Sequence, residues 1–299
     1  MKIRLIGLGK MGYNIALNLK DHGHEVIGYA RSQETRESIS KEGVKTASSV
    51  EALFEHREDK VVVWLLVPNQ TVDEVIDQVI PFLKKGDIIV DGGNSNFNLS
   101  MERYKKLKEL GISFVDLGTS GGTSGARNGA CLMFGGDKQT FDYLEPVLKD
   151  ISAEQGYGYM GNSGSGHFVK MVHNGIEYGM MQAIGEGFEL MQKSPFDLDF
   201  KKISTVWNHG SIIESSLIGN IESAFSKDEK LNAIEGKVDD SGEGMWMIQE
   251  ALKFKVSMPV ISNALFARFK SRDELKFAEK VVAAMRNEFG GHAVYKSKK

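Results

Sequence analysis

Cysteine is nearly absent from this sequence, which has one, Cys131, among 299 residues. An internal disulfide is therefore excluded, and no Cys/His spacing typical of a zinc site is present. Long hydrophobic runs are also lacking, because the longest, 61–68, is far shorter than the roughly 20 residues that cross a bilayer. The first residues become glycine-rich too early for a signal-peptide core. We therefore expect a reduced, cytoplasmic protein without a metal site.

Neither sign of charge is in large excess. The 37 Lys and Arg residues against 40 Asp and Glu residues give a net charge of -3, which provides no general attraction to nucleic acid or to an anionic membrane. Any anionic ligand must therefore be recognised by a local cluster. Glycine is abundant, with 33 residues, and the length allows two domains.

The first half of the sequence alternates short apolar runs with helical patterns. The strand-like runs are 3–6, 25–29, 61–67, 87–91, 113–117 and 131–134. The helical patterns between them are 11–22, 71–84, 98–110 and 139–149. This alternation predicts an α/β, Rossmann-like doubly wound sheet of parallel strands, covered by helices on both faces.

After Gly166 the strand patterns stop. The helical patterns that follow are 166–192, 200–209, 212–225, 245–255, 259–270 and 273–289. We expect a dinucleotide-binding domain at 1–163 and an all-α substrate and dimerisation domain at 164–299, with a disordered tail at 296–299. The glycine- and serine-rich stretch 156–166 supports a boundary there.

The segment 7–12, GLGKMG, lies between a predicted strand and a predicted helix, which is the context of a dinucleotide-binding motif. Gly7 allows the tight turn, Gly9 lets the backbone approach a pyrophosphate, and Gly12 brings helix and strand together. The first amides of the helix favour the phosphates. We assign cofactor binding to Gly7, Leu8, Gly9, Lys10, Met11 and Gly12.

The end of the second strand bears on the choice of cofactor. An acidic residue here would favour NAD, but the sequence has Arg31 and Ser32, and the first carboxylate is Glu34. Arg31 could pair with a 2′-phosphate, and Ser32 could donate to the same group. We therefore expect NADP rather than NAD. The alternative is that Arg31 is a solvated cation.

Three further loops are predicted at the carboxyl ends of strands, where a doubly wound sheet binds its ligands. They are 67–69, 91–95 and 118–122, and the last two combine glycines with small hydrogen-bonding side chains. Simple turn chemistry is the alternative explanation for such residues. The candidates are Val67 and Pro68 beside the nicotinamide, Asn94 for cofactor and substrate, and Ser120, Gly121 and Gly122 for substrate.

Five polar residues fall on one face of an otherwise apolar predicted helix. They stand at offsets 0, 3, 4, 7 and 8 from the first, the spacing of a helix face, and we call them the polar face: Lys170, His173, Asn174, Glu177 and Tyr178. We expect the helix to be buried nearly all round, in which case a polar face is costly unless it lines a wet cleft. A desolvated lysine is a usable base, which suits Lys170, and Glu177 is a second proton-transfer group. The alternative is a structural Lys–Glu ion pair.

Together, the segments GLGKMGYNIALN, DGGNSN, TSGG, GHFVKMVHNGIEYGMMQ, FAR and RNEFGGH resemble those of the 6-phosphogluconate dehydrogenase family, in its short bacterial form. The resemblance spans essentially the whole chain. It implies oxidative decarboxylation of 6-phosphogluconate to ribulose 5-phosphate and CO2, without a metal, with hydride transfer to NAD(P). It also implies a place in the pentose phosphate pathway or gluconate utilisation.

The resemblance further assigns roles to single residues. Lys170 matches the family's base for the substrate hydroxyl, and Glu177 matches the acid that protonates the enediol after CO2 leaves. Met11 matches a residue beside the nicotinamide. Arg286 and His292 match a pair supplied by the neighbouring subunit, which implies a homodimer or a dimer of dimers. The matched substrate ligands are Asn94, Ser120, Gly121, Gly122, His173 and Asn174, and those for its phosphate are Tyr178, Arg268, Arg286 and His292.

Two departures from the family pattern stand out. Longer members have KGTGKW, whose first Lys and Thr bind phosphate, where this chain has SGEGMW at 241–246, with Glu243 in place of the Thr. The TSGG segment is often followed by Glu, whereas Thr123 follows it here. Both departures bear on substrate affinity and leave the proton-transfer residues intact.

Two other functions fit parts of the sequence. Another β-hydroxyacid dehydrogenase, such as a 3-hydroxyisobutyrate enzyme, would share the glycine-rich start and the helix lysine. Such an enzyme is not expected to combine His173, Glu177 and Tyr178. A non-catalytic dinucleotide-sensing module would not need the two proton-transfer groups Lys170 and Glu177.

Overall fold

The computed structural model describes residues 1–57 and 60–295, so the predicted disordered tail lies outside the described residues. The chain divides into two compact units, Met1–Gly175 and Ile176–Lys299. The functional boundary after residue 163 stays a prediction.

One eight-stranded sheet forms the centre of the first unit, in the order β3-β2-β1-β4-β5-β6-β7-β8. Strands β1 to β6 pair in parallel, in the order of a doubly wound dinucleotide-binding sheet. The predicted fold class is therefore confirmed. The strands are β1 Lys2–Ile6, β2 Glu25–Tyr29, β3 Lys45–Thr46, β4 Val62–Leu65, β5 Ile88–Asp91, β6 Ser113–Ser120, β7 Ala130–Gly135 and β8 Ser152–Gly161.

Both faces of this sheet are buried. Leu5, Trp64 and Val90 belong to one hydrophobic cluster, whereas their neighbours Val63 and Ile89 belong to a second. The alternation follows from the period of two along a strand. The helices of this unit are α1 Lys10–Asp21, α2 Gln33–Lys41, α3 Val72–Val79, α4 Phe97–Glu109, α5 Gly122–Asn128 and α6 Lys138–Ile151, with 3₁₀ turns at Glu51–Phe54, Asn69–Thr71 and Ile80–Phe82.

The expectation of parallel strands is wrong at β7, which is antiparallel to β6. The connection between them contains only the short helix α5, and a parallel crossover needs a dozen or more residues. Strand β8, parallel to β7, was not predicted because its sequence SAEQGYGYMG has no buried residue and lacks an apolar run. Helix α2 was missed because it buries only Ile39.

Helix α7, Ser165–Gln192, begins in the first unit and continues into the second. Among residues 176–295 every regular element is helical, which confirms the all-α prediction for this part of the chain. The prediction that α7 is buried nearly all round is wrong at Ile176 and Met180, which are 50% and 44% exposed. The following helices are α8 Phe200–Trp207, α9 Ser216–Lys227, α10 Glu243–Phe254, α11 Pro259–Ser271 and α12 Phe277–Gly290.

An aromatic cluster stabilises the second unit. Phe188 of α7, Phe200 of α8 and Phe225 of α9 have ring centroids 5.2–5.5 Å apart, within the range of favourable aromatic pairs. None of the helices in residues 1–57 and 60–295 has both the length and the apolar character needed to cross a bilayer.

Candidate active site

The turn between β1 and α1 has the geometry that the GLGKMG segment predicts. Gly7 has φ +102°, and a Cβ there would lie 2.3 Å from the carbonyl oxygen of Leu66. A Cβ on Gly12 would lie 1.8 Å from the carbonyl oxygen of Gly7, so the helix packs directly on the turn. Gly9 caps α1, and nothing lies within 4 Å of a Cβ built on it. The turn therefore leaves open backbone where a pyrophosphate would approach.

The end of β2 presents Arg31 and Ser32 on the surface. Ser32 caps α2, its hydroxyl accepting the N–H of Thr35 at 3.2 Å. Arg36 donates to the carbonyl oxygens of Ala30 and Arg31 at 2.5 and 3.0 Å, which fixes the backbone of this turn. The turn and the first part of α2 therefore hold two arginines and a hydroxyl, groups of the kind that bind anions.

The loops after β4 and β5 are joined by a hydrogen bond. The side-chain oxygen of Asn69 accepts the N–H of Asn96 at 3.2 Å, which links the loop containing Val67 and Pro68 to the loop containing Asn94. Asn94 itself is exposed. This edge of the sheet therefore holds together the two loops that the sequence assigned to the nicotinamide and the substrate.

A buried ion pair supports the second of these loops. Asp91, fully buried at the end of β5, accepts the N–H of Gly93 at 3.2 Å and a hydrogen bond from Arg103 at 3.3 Å. Arg103 also donates two hydrogen bonds to Asp73, at 2.7 and 2.9 Å. These bonds hold the pKa of Asp73 below its ordinary value.

The first half of the polar face is a connected set of side chains in the first unit. Lys170 and Asn174 are 7% and 8% exposed. The His173 Nδ1 atom lies 3.5 Å from the Lys170 Nζ atom and 3.0 Å from the Asn174 Oδ1 atom. Its Nε2 atom lies 3.1 Å from the Ser120 hydroxyl, so the imidazole connects the end of β6 to the buried amine.

This arrangement lets one imidazole exchange partners. With the proton on Nδ1, His173 donates to Asn174 and accepts from Ser120, whereas with the proton on Nε2 it accepts from Lys170. A change in the charge of Lys170 can therefore be answered by a change of tautomer beside it. Ser120, Lys170, His173 and Asn174 are thus brought together as the sequence predicts.

A second cluster, in the second unit, contains Tyr178. The Arg268 guanidinium stacks on the Tyr178 ring at 3.6 Å and donates to the carbonyl oxygen of Asp239 at 2.7 Å. The Tyr178 hydroxyl accepts the N–H of Ser241 at 3.1 Å and lies 3.3 Å from its hydroxyl. The Ser241 hydroxyl in turn donates to Glu243 at 2.5 Å.

Glu243 is therefore accommodated as a buried group at the start of α10. It is 2% exposed, and within the described residues its Oε1 atom has no hydrogen-bond partner. Because the Ser241 hydroxyl donates to Glu243, its oxygen is left to accept from Tyr178. The hydroxyl protons then run in one direction, from Tyr178 to Ser241 to Glu243.

Arg286 and His292 lie elsewhere in the second unit, on α12 and directly after it. Both are exposed, and the His292 carbonyl oxygen accepts from the Asn287 amide at 2.8 Å. In the described part of the chain, neither residue hydrogen-bonds to Tyr178 or Arg268. The single chain thus does not bring together all four predicted phosphate ligands.

Comparison with known proteins matches the two parts of the chain to two family models. The model of the NAD binding domain of 6-phosphogluconate dehydrogenase matches residues 2–168, and the model of the C-terminal domain of the same enzyme matches residues 166–299. The chain belongs to the 6-phosphogluconate dehydrogenase family. Its resemblance to that family, noted from short segments, is confirmed along the chain.

Some family members have nearly the same length as this chain, and others are longer. It is 48% identical to the Bacillus subtilis protein YqeC, over 99% of this chain and all of the relative. It is 39% identical to the NAD(+)-dependent, decarboxylating 6-phosphogluconate dehydrogenase of Haloferax volcanii, over 98% of each. A solved structure of the Plasmodium falciparum family member, studied with NADP+ and with 6-phosphogluconate, is 32% identical, has a TM-score of 0.81 and covers all of this chain and 67% of its own.

The fold is shared more widely than the family. The 3-hydroxyisobutyrate dehydrogenase of Salmonella typhimurium has a TM-score of 0.74 with 20% identity, covering 89% of this chain and 92% of its own. At this identity the likeness concerns the fold alone.

Two residues whose hydrogen bonds hold these loops were not predicted from the sequence: Arg36 and Arg103. Each acts on a segment distant in sequence or on backbone, as when Arg103 bonds to Asp73. No local pattern indicates such a contact. For Arg36 a signal was present, because a second arginine follows Arg31 by five residues in the sequence.

Gly9→Ala is expected to weaken dinucleotide binding without affecting stability. Its backbone, at φ -70°, accepts alanine, and a Cβ meets no protein atom. We expect the KM for the dinucleotide to rise about tenfold or more, since overpacking by a methyl group costs about 1–3 kcal/mol, with an unchanged Tm. Gly12→Ala is the control and should lower the Tm. An unchanged KM in Gly9→Ala would show that no ligand approaches this backbone.

Proposed function

We propose that this protein oxidises 6-phosphogluconate and decarboxylates it to ribulose 5-phosphate and CO2. The observation that supports this most strongly is the polar face of α7, where the buried amine of Lys170 lies beside the hydrogen-bonded His173. Glu177 follows two turns later on the same helix. Family membership is consistent with this assignment.

The reaction begins with removal of a proton. Lys170, which is 7% exposed, accepts the proton of the substrate hydroxyl β to the carboxylate. A bound nicotinamide would supply the acceptor for the hydride of the carbon that carries this hydroxyl. Protonated Lys170 then stabilises the negative charge that develops on the new carbonyl oxygen as CO2 leaves. His173 and Asn174 orient the substrate, together with Asn94, Ser120, Gly121 and Gly122.

Glu177 completes the reaction. Loss of CO2 from the β-keto acid, with Lys170 donating its proton to the former carbonyl oxygen, leaves an enediol. The enediol becomes the ketone by gaining a proton on carbon, while Lys170 takes back the proton of the enol hydroxyl. Glu177, on the same helix face as Lys170 but two turns away, delivers the proton to carbon. The two groups act in sequence, which explains why a single helix face presents both an amine and a carboxyl group.

Arg268 is proposed as the main ligand of the substrate phosphate in this chain. Its guanidinium is fixed on the Tyr178 ring, whereas the Tyr178 hydroxyl proton is directed toward Ser241. Tyr178 then acts mainly by holding Arg268 in place. Arg286 and His292 are proposed to come from a neighbouring subunit.

A homodimer, or a dimer of dimers, follows from this assignment. Helix α12 has no buried residue, although its 14 residues include large apolar side chains that are 40–76% exposed. Such a surface is typical of an interface. The helix contains Phe277, Val281, Val282, Met285 and Phe289. We propose that residues 1–163 bind the cofactor, that 164–299 bind substrate and form the dimer, and that the enzyme is cytoplasmic.

NADP is the proposed cofactor, supported by Arg31 and Ser32 after β2 and by Arg36 in α2. Family members named above include both an NAD(+)-dependent enzyme and one studied with NADP+. The turn itself therefore has to be tested.

A matrix of initial rates tests both choices. We expect 6-phosphogluconate with NADP to give a higher kcat/KM than gluconate, 3-hydroxyisobutyrate, or 6-phosphogluconate with NAD. Arg31→Ala should raise the KM for NADP roughly tenfold or more, as expected for a charged hydrogen bond, and leave that for NAD unchanged. A preference for 3-hydroxyisobutyrate would refute the proposed substrate. An unchanged KM for NADP in Arg31→Ala would show that Arg31 is a solvated cation.

A further inference from the structure

We propose that Asp116 is a positioning residue for Lys170, acting through the first turn of helix α7. The inference rests on the proposed role of Lys170 as the base. Asp116 lies in β6 and is fully buried. One carboxylate oxygen accepts the N–H of Gly164 at 2.7 Å, and the other accepts the N–H of His167 at 3.0 Å.

These two bonds meet a need of the helix. The first N–H groups of an α-helix have no partner within the helix, and a nearby negative charge is stabilising. Gly164, directly before α7, has no side chain with which to cap it. The cap is therefore supplied by a strand 48 residues earlier in the chain.

The same strand contacts the stem of the lysine. A Cβ on Gly118 would lie 2.5 Å from the Cβ of Lys170, so the lysine crosses β6 two residues beyond Asp116. A Cβ on Gly166 would lie 2.2 Å from the carbonyl oxygen of Asp116. The first turn of α7 thus packs directly against the backbone of β6. Asp116 fixes the start of the helix, and the absence of a side chain at Gly118 leaves room for Lys170.

Capping a helix with a carboxylate at a fully buried position costs free energy, because the charged group is removed from water. Burial raises the pKa of Asp116, against the opposing effects of His167 and of the backbone N–H donors. Both oxygens accept from backbone, so Asp116 is directed at the helix and not at a substrate. The two hydrogen bonds to the Asp116 carboxylate hold the turn that precedes Lys170 in a fixed position.

The Asp116→Asn variant tests the inference. The amide keeps the shape of the side chain but points an N–H₂ group at a backbone donor, which breaks one of the two bonds. We expect kcat to fall roughly tenfold to a hundredfold, the effect of misplacing a catalytic group by about 1 Å. The KM for the dinucleotide should be unchanged, because Gly7–Gly12 follow a different strand. The pH dependence of kcat should also shift, since the surroundings of Lys170 change.

Asp87→Asn is the matched control. Asp87 is also fully buried, accepts the backbone N–H groups of Val61 and Lys84 at 2.9 and 2.7 Å, and pairs with Arg57 at 2.9 Å. Its substitution should lower the Tm as well but leave kcat and its pH dependence at wild-type values. Rates are compared at a temperature where both variants are folded.

The outcomes separate the two proposals. If Asp116→Asn keeps the kcat of Asp87→Asn, Asp116 is structural only and the inference is wrong. If Lys170→Ala keeps wild-type turnover, the proposed base is wrong whatever Asp116 does. Should Asp116→Asn not fold, Asp116→Glu keeps the charge but moves it by one methylene, and its kcat is expected to fall in the same way.

Discussion

Lys170→Ala is expected to lose turnover while it still binds NADPH. A positioned base contributes about 10²- to 10⁴-fold to a rate, and Lys170 also stabilises the carbonyl oxygen after the proton has moved, so we expect kcat to fall by at least about 10³-fold. The predicted dinucleotide turn, Gly7–Gly12, lies between β1 and α1, whereas Lys170 lies on α7. Initial rates with 6-phosphogluconate and a fluorescence titration with NADPH measure the two effects separately.

Lys170→Met distinguishes chemistry from packing. The lysine is 7% exposed and its stem crosses Gly118, so alanine removes buried apolar contacts together with the amine. Methionine restores most of the stem but has no proton to exchange. Both variants should be equally inactive. Recovery of substantial turnover in Lys170→Met would mean that Lys170 supports the fold and is not the base.

Arg103→Ala is expected to destabilise the protein by about 3–5 kcal/mol, the cost of leaving a buried charge without its partner. Arg103 is 4% exposed and its partner Asp91 is fully buried. The loop with Asn94 begins at Asp91, so we expect the KM for substrate to rise as well. Urea unfolding monitored by tryptophan fluorescence measures the loss of stability.

Arg127→Ala is the control for this prediction. Arg127 pairs with Asp21 at 2.6 Å, but both side chains are about two-fifths exposed, and a surface pair of this kind contributes about 0–1 kcal/mol. If Arg103→Ala costs no more than Arg127→Ala, the pair between Asp91 and Arg103 does not support the loop.

Arg103→Ala is also expected to change how the stability of the protein depends on acid pH. Hydrogen bonds from Arg103 hold the pKa of Asp73 below its ordinary value of 3.8. Stability from this interaction is therefore present above pH 3.8 and is lost as the pH falls through the lower folded value. On acidification below pH 3.8, the free energy of unfolding of Arg103→Ala should therefore fall less than that of the wild type.

The sequence was sufficient to predict much of the cofactor unit. Buried parallel strands have continuous apolar runs, so β1, β4 and β5 are evident, and the glycines at 7–12 require a particular backbone shape. The polar face of α7 was also predictable, because its spacing follows from helix geometry alone.

Other features depend on contacts that local patterns do not specify. The reversal of β7 follows from a connection too short for a crossover, and β8 is an edge strand with little apolar character. Asp116 caps a helix 48 residues away, and Glu243 is accommodated through Ser241 and Tyr178. The exposure of Ile176 and Met180 was not predicted, because an apolar residue in a sequence does not indicate whether other residues of the same chain pack over it.

The most direct test of the proposed reaction is to measure NADPH and released CO2 in the same sample of wild-type enzyme acting on 6-phosphogluconate. Sequential action of Lys170 and Glu177 predicts one CO2 for every NADPH formed, at equal rates. NADPH formed without CO2, or no reduced dinucleotide with either NADP or NAD, would contradict the oxidative decarboxylation proposed for this chain.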